Sequence, residues 1–239
     1  MKNAAPRYLP AGESALVVEF GQAIDPAIHD RVVALDAAIA QAELAGVSET
    51  VPTYRSLMIH FDPRRLTTQG LIEALAGLKD AEVTRARPRR WRLPACYDPP
   101  HGEDLAEVEA ILGLPRERIV ALHASAVYRV YMYGFAPGFT FLGGLPAALT
   151  IARRAAPRAP APPGSLLIAG GQALVASVAM PTGWYAVGRT PVKIFDARRE
   201  RRFLADIGDE LVFERIDPAA FDALSAAAEA GDAGALEEA

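Results

Sequence analysis

Residues 131–146 read YMYGFAPGFTFLGGLP, a run that holds five aromatic residues, four glycines and two prolines. No helix interior or central strand accommodates that mixture. Proline fixes φ and removes a backbone donor, while glycine is used where the chain must take positive φ or let another group approach closely. The run therefore reads as a shaped loop with aromatic walls.

The rest of the chain provides ample material for a scaffold to hold such a loop. Its 239 residues are 51% hydrophobic, enough for one large domain or two small ones with real cores. The net charge of −4, from 29 acidic and 25 basic residues, provides no global basic field to gather nucleic acid or an anionic membrane. Only Lys2, Lys79 and Lys193 are lysines, which is a composition bias and no phosphate-binding signal. The single cysteine, Cys96, has no disulfide or zinc partner in sequence and reads as a small buried residue. The first residues lack the apolar core of a signal peptide, and no stretch approaches the roughly 20 apolar residues of a spanning helix. A cytoplasmic location without nucleic-acid or membrane contact is the expectation.

Along the chain, residues 14–20 read as a strand and 26–45 as a helix. Ile28, Val32, Leu35, Ile39 and Ala42 lie at helical spacing, Asp25 is the N-cap and Gly46 the terminator. Strands at 49–53 and 56–61, a helix at 67–79 with Leu71, Leu75 and Leu78 on one face, and a strand at 82–87 complete a βαββαβ order. This pattern predicts a split sandwich over residues 1–87. Residues 85–92, RARPRRWR, carry five arginines and read as a solvated linker between domains, with an anion or nucleic-acid patch as the alternative. Beyond it come a strand at 91–96, helices at 104–112 and 115–123, and a strand at 127–133. Short apolar runs at 166–169, 173–178, 184–187, 192–196 and 210–215 follow, separated by Gly and Pro turns, the pattern of an antiparallel barrel or sandwich. A short helix after Asp217 and a frayed acidic end close the chain.

Common catalytic signatures are absent: no P-loop, no G-x-S-x-G, no H-E-x-x-H and no C-x-x-C. Of the histidines, His29 and His60 read as surface or packing residues, and no pair of the four falls at metal-chelating spacing. The aromatic loop is followed by P-P-G-S at 162–165, A-G-G-Q at 169–172 and P-T-G-W-Y-A-V-G-R-T-P at 181–191. With residues 121–139, ALHASAVYRVYMYGFAPGF, these segments resemble the B subunit of bacterial ATP-dependent 5-oxoprolinase. That family is also called allophanate hydrolase subunit 1, and it includes a sporulation kinase inhibitor. The resemblance covers nearly the whole chain. It implies an α+β protein, with the N-terminal βαββαβ split sandwich followed by a cyclophilin-like antiparallel β-barrel over residues 88–239.

Candidate site residues follow from the segments that carry the resemblance. Gly138 and Gly143, with Gly134 and Gly144, would expose backbone N–H groups to anionic oxygens, and Phe135, Phe139 and Phe141 would form apolar walls; inward packing of the aromatics is the alternative. Gly170, Gly171 and Gln172 could present an amide to a lactam, as Ser165 could its hydroxyl, although its turn position suits backbone bonding equally. Arg153 and Arg158 match family arginines and suit bidentate binding of carboxylate or phosphate, against the alternative of plain exposure. His123 and Arg189 are the catalytic candidates: His123 as acid and base or as a helix C-cap, Arg189 as an anion-binding residue aimed by its G-R-T-P turn or as a structural ion pair.

The sequence also departs from the family pattern. Where the family reads close to GGQT-G-I-Y-P this chain reads GGQALVASVAMPTGW, Thr140 and Phe141 replace a proline-tyrosine pair, and Pro160 replaces a basic residue. The resemblance implies one component of an enzyme that opens 5-oxo-L-proline to L-glutamate with ATP and water. This component would act with separate A-like and C-like partner chains of the 5-oxoprolinase and be inactive alone. A carboxyltransferase half-module for urea or a related amide is one alternative, with the biotin carrier on another chain. A binding protein that inhibits a histidine kinase is another.

Overall fold

The N-terminal elements are set by a short apolar alternation and two well-capped helices. In a computed structural model, which describes residues 5–78, 88–230 and 236–238, the chain divides into two units, 1–87 and 88–239. The first unit holds β1 (Arg7–Pro10), β2 (Ala15–Glu19), α1 (Pro26–Ala42), β3 (Val47–Pro52), β4 (Ser56–Phe61) and α2 (Thr68–Gly77). Its sheet runs β1-β2-β4-β3, antiparallel throughout. Leu16, Val18, Leu57, Ile59 and Phe61 alternate onto one face, against Val32 and Ile39 of α1 and Leu71 and Leu75 of α2.

Asp25 caps α1 by accepting from the N–H groups of Ala27 (2.8 Å) and Ile28 (3.2 Å). The helix stops at Ala42, earlier than expected, because Glu43 takes the left-handed conformation (φ 46°) ahead of Gly46. The buried stripe contains His29, Val32, Ala38 and Ile39, so Ala42 is exposed. Strand β1 is hidden in the sequence by its prolines, which an edge position tolerates. The expected strand at 82–87 lies outside the described residues.

The second unit contains β5 (Arg90–Ala95), α3 (Leu105–Leu112), α4 (Arg116–Ala124), β6 (Val127–Tyr133), β7 (Thr140–Gly143), β8 (Arg158–Ala161), β9 (Ser165–Ala169), β10 (Gln172–Val175), β11 (Met180–Thr182), β12 (Tyr185–Arg189), β13 (Glu210–Arg215), α5 (Pro218–Glu229) and β14 (Leu236–Glu238). Eight of its strands form one curled sheet in the order β12-β9-β10-β7-β6-β13-β5-β14. All pairs are antiparallel except β5 with β13. Just past β5, Cys96 and Arg189 exchange two backbone hydrogen bonds of 2.8 Å, which joins β5 to β12 and closes the sheet into a barrel.

The unbroken apolar run of β9 is explained by burial on both faces. Leu166 and Ile168 point into the barrel core with Ala173, Val175, Tyr185 and Val187, while Leu167 and Ala169 point outward into a second cluster with Phe139, Leu174 and Trp184. Ala161 of β8 belongs to that outer cluster, and β8 pairs with β11 as a separate two-stranded ribbon.

The structure overturns several expectations. Residues 131–146 are not one loop: 131–133 end β6 and 140–143 form β7, both central in the sheet, and the loop between them is confined to 134–139. Arg89 and Arg90 do not form a solvated linker: Arg89 donates to Asp209 (2.9 Å) and Asp206 (2.6 Å), and Arg90 lies in β5 and donates to Glu210 (2.6 Å). Residues 192–196 keep their alternation, with Val192 and Ile194 in the core, but form no strand because their ladder contact among the described residues is a single bridge from Phe195 to Phe203. Residues 236–238, expected to be frayed, pair with β5 as β14.

Asp104 ties α3 to the barrel. Its carboxylate accepts from Arg158 Nη1 (2.6 Å), from the Ala186 N–H of β12 (2.7 Å) and from Arg154 Nη2 (3.0 Å), while its own N–H donates to the Ala186 carbonyl (2.9 Å). The Asp104, Arg154 and Arg158 side chains are 12%, 16% and 15% exposed. Removing the carboxylate leaves Arg154 to Glu107 and Arg158 to Glu103, and takes the acceptor from the Ala186 N–H. A buried donor left without its acceptor costs about 1–3 kcal/mol. Asp104→Ala is therefore expected to lower the stability of the second unit by about 2 kcal/mol in urea unfolding, and an unchanged midpoint would refute this assignment.

Candidate functional site

Three of the irregular segments meet at one end of the barrel. The P-P-G-S turn enters β9, the G-R-T-P run leaves β12, and the loop before β7 closes beside them. The Gly164 carbonyl accepts from the Thr190 N–H (2.9 Å) and the Gly164 N–H donates to the Ala176 carbonyl (2.7 Å). Gly164 has φ +82°, and a Cβ there would lie 2.2 Å from the Thr190 carbonyl oxygen, so only glycine permits this contact. Ser177 donates to the Pro137 carbonyl, and Gly138 packs directly on the Phe195 side chain. Between these segments and α5 lies a cavity of about 240 Å³. Pro163, Phe195 and Phe221 supply apolar walls, and Arg189, Lys193 and Ser225 supply polar ones.

Arg189 dominates the cavity's electrostatics. Its Nε donates to the Pro163 carbonyl (2.8 Å), and its guanidinium lies 5.5 Å from the Phe221 ring centroid. Among the described residues no carboxylate forms an ion pair with it. Partial burial, opposed by the Glu103 charge, holds its pKa below the ordinary arginine value, yet arginine stays cationic at neutral pH. Lys193 is only loosely paired, with Nζ 3.8 Å from Glu229. The arrangement can hold a carboxylate against a planar cation, with apolar surface on either side. His101 packs on Phe221 with ring centroids 3.9 Å apart, and burial, then the Arg189 charge, holds its pKa below the ordinary value. Its proximity to Arg189 is not legible in sequence, because it depends on the pairing of Cys96 with Arg189, which brings the segment after β5 beside the end of β12.

A family model for the carboxyltransferase domain, subdomain C and D, matches residues 6–205. The 5-oxoprolinase B subunit of Bacillus subtilis strain 168 is 34% identical over 220 residues, covering 86% of this chain and 90% of the relative. The chain belongs to the family of 5-oxoprolinase B subunits. Among solved structures, that of TTHA0988 is 35% identical with a TM-score of 0.76, covering 84% of this chain and 40% of that one. This B-subunit family member therefore spans less than half the length of that relative. The urea carboxylase of Kluyveromyces lactis, 17% identical with a TM-score of 0.76, shares the fold over 98% of this chain and 24% of its own length.

Within this B-subunit fold, the remaining sequence candidates occupy other places. Gly170 (φ +58°) and Gly171 (φ +76°) form the two-residue turn between β9 and β10. At about 3.3 Å per residue along β9, that turn and Gln172 lie roughly 15 Å from Ser165, so they cannot share a small ligand with Arg189. Ser165 is buried and donates to the Pro162 carbonyl (2.7 Å), the backbone role that its turn position allowed. Arg158 is held by Asp104 and Glu103, Arg153 is exposed, and Arg154 takes a place beside Arg158. Phe139 is in the outer cluster, Phe141 meets Trp184 edge-on, and Gly143 packs under the Tyr131 ring. Phe135 is 76% exposed at positive φ (69°), with its edge toward Phe139.

His123 belongs to the barrel's aromatic core. It is 1% exposed, its Nδ1 lies 2.9 Å from the Tyr97 hydroxyl, and it stacks on Phe213. Burial lowers its pKa from 6.5 to about 3. The unfolded chain therefore binds a proton below pH 6.5 that the native state refuses, so stability is present above pH 6.5 and is lost as pH falls toward 3. The slope is about 1.4 kcal/mol per pH unit. Urea unfolding between about pH 7 and pH 4 is expected to show a shallower pH slope for His123→Phe than for the wild type. Parallel slopes would place the titrating group elsewhere.

Proposed function

We propose that this chain is the B subunit of a multi-chain 5-oxoprolinase, and that the cavity at the barrel end binds the small carboxylated lactam. The observation that carries this reading is Arg189, a half-buried arginine that is tied to a backbone carbonyl and, among the described residues, lacks a protein carboxylate. Burying a cation without a counter-charge costs stability unless a ligand supplies one. Arg189 would take the carboxylate of 5-oxoproline, and Phe195, Phe221 and Pro163 would enclose the ring and keep water from it. The Lys193 ammonium and the Ser225 hydroxyl would face the amide edge. This anchoring orients the lactam carbon for attack and supplies donors where negative charge develops on its oxygen.

ATP does not fit the same cavity. A volume of about 240 Å³ lies below the range of roughly 300–1,000 Å³ for drug-sized ligands, and the sequence has no P-loop. Nucleotide binding therefore belongs to the partner chains in this reading, and no step on this chain runs through it. The fold shared with urea carboxylase is consistent with a planar amide as the common ligand chemistry.

The test is ATP- and 5-oxoproline-dependent glutamate release by this chain mixed with the products of its neighbouring genes, with each component omitted in turn. Activity should be lost when this chain is left out. Arg189→Ala should fold normally and raise KM by about 10- to 100-fold, the scale of one charged hydrogen-bond pair at about 1.5–3 kcal/mol. Turnover and KM unchanged in that variant would remove the cavity from the mechanism.

A further inference from the structure

The family model stops at residue 205, yet the wall facing Arg189 is built by α5, well beyond it. The start of this helix is fixed from three directions. Pro218 occupies its first turn, the Asp217 carboxylate accepts from the Ala220 N–H (2.8 Å), and the Ile216 N–H donates to the Ala95 carbonyl at the end of β5 (3.0 Å).

Phe221, Ser225 and Glu229 then line the cavity at i, i+4 and i+8, a single stripe along one helix face. Phe221 is 4% exposed and packs between Arg189 and His101. Among the described residues the Ser225 hydroxyl has no protein hydrogen-bond partner, so both its donor and its acceptor capacity remain for a ligand. Glu229, 79% exposed, stands at the open rim and faces Lys193 across 3.8 Å. Arg189 and Lys193 are positive and Glu229 is negative, which leaves the cavity one net positive charge. Glu103, whose charge reaches Arg189, is paired with Arg158, and Arg198, which feels Glu229, is paired with Asp196; Asp222 and Asp98 act on His101.

We infer that this stripe of α5 is the selectivity element of the site: Ser225 reads the amide edge of the ligand, and Glu229 limits the cavity to a monoanion. The inference rests on the lactam-binding reading of the same cavity and adds the discriminating residues to it. A dianion would meet the Glu229 carboxylate without a second free cation. A neutral lactam would leave Arg189 without its counter-charge.

The test is calorimetric titration of the full chain with 5-oxoproline, the uncharged lactam 2-pyrrolidinone, and the amide-free dianion glutarate. The wild type should bind 5-oxoproline in preference to both. Ser225→Ala should weaken 5-oxoproline by about tenfold with little change for glutarate, as expected for one lost hydrogen bond. Glu229→Gln should strengthen glutarate by about two- to fivefold while 5-oxoproline changes little. If both variants match the wild type on all three ligands while Arg189→Ala loses 5-oxoproline, α5 is not the selectivity element and the lactam site stands. If Arg189→Ala also binds as the wild type does, or if the wild-type chain binds no 5-oxoproline, the lactam site and the selectivity inference fall together.

Discussion

Two backbone hydrogen bonds between Cys96 and Arg189 carry more of this structure than their number suggests. They join β5 to β12 and turn an open sheet with a free edge into a barrel. They also fix the backbone of the residue whose side chain faces the cavity. With its Nε held by the Pro163 carbonyl, the Arg189 guanidinium has lost much of its conformational freedom. The close approach requires Gly188: a Cβ there would lie 2.8 Å from Tyr97 Cδ1 and 3.0 Å from the Cys96 carbonyl oxygen.

Around this closure the arginines divide into two kinds. Arg154 and Arg158 are held against Asp104, Glu103 and Glu107, and Arg89 is held by Asp206 and Asp209. Asp209 itself is a tightly served carboxylate: burial works to raise its pKa, but donors from Trp91, Asp206 and Arg89 outweigh that and hold it below the ordinary range. These pairs fasten helix to sheet and loop to strand. Arg189 is the contrasting case, shielded by Phe221 and Pro163 and matched by no carboxylate among the described residues, and that contrast sets it apart from the structural arginines.

The regular elements are largely legible because their determinants are local. Asp25 and the apolar stripe behind it specify α1, and the alternation in residues 56–61 specifies β4, whatever lies elsewhere in the chain. Strands β1, β8 and β11 escape a sequence reading because proline hides a strand wherever a free edge tolerates it. Residues 192–196 mislead for the opposite reason, since alternation reports burial on one side and says nothing of whether a neighbouring strand is present to pair with.

The site divides along the same line. Sequence alone determined that this chain has glycine- and proline-shaped segments and that no P-loop accompanies Arg189; the turn it suggested around Arg189 is the end of strand β12. Only the tertiary structure decided that A-G-G-Q is a hairpin turn at the far end of β9, that His123 is a core residue hydrogen-bonded to Tyr97, and that Arg154 joins Arg158 in a structural clamp. It alone brought His101 and the Phe221–Ser225–Glu229 stripe to Arg189. Turn chemistry is written in neighbouring residues, whereas burial, charge pairing and the facing of a helix stripe depend on which distant segments the barrel closure brings together.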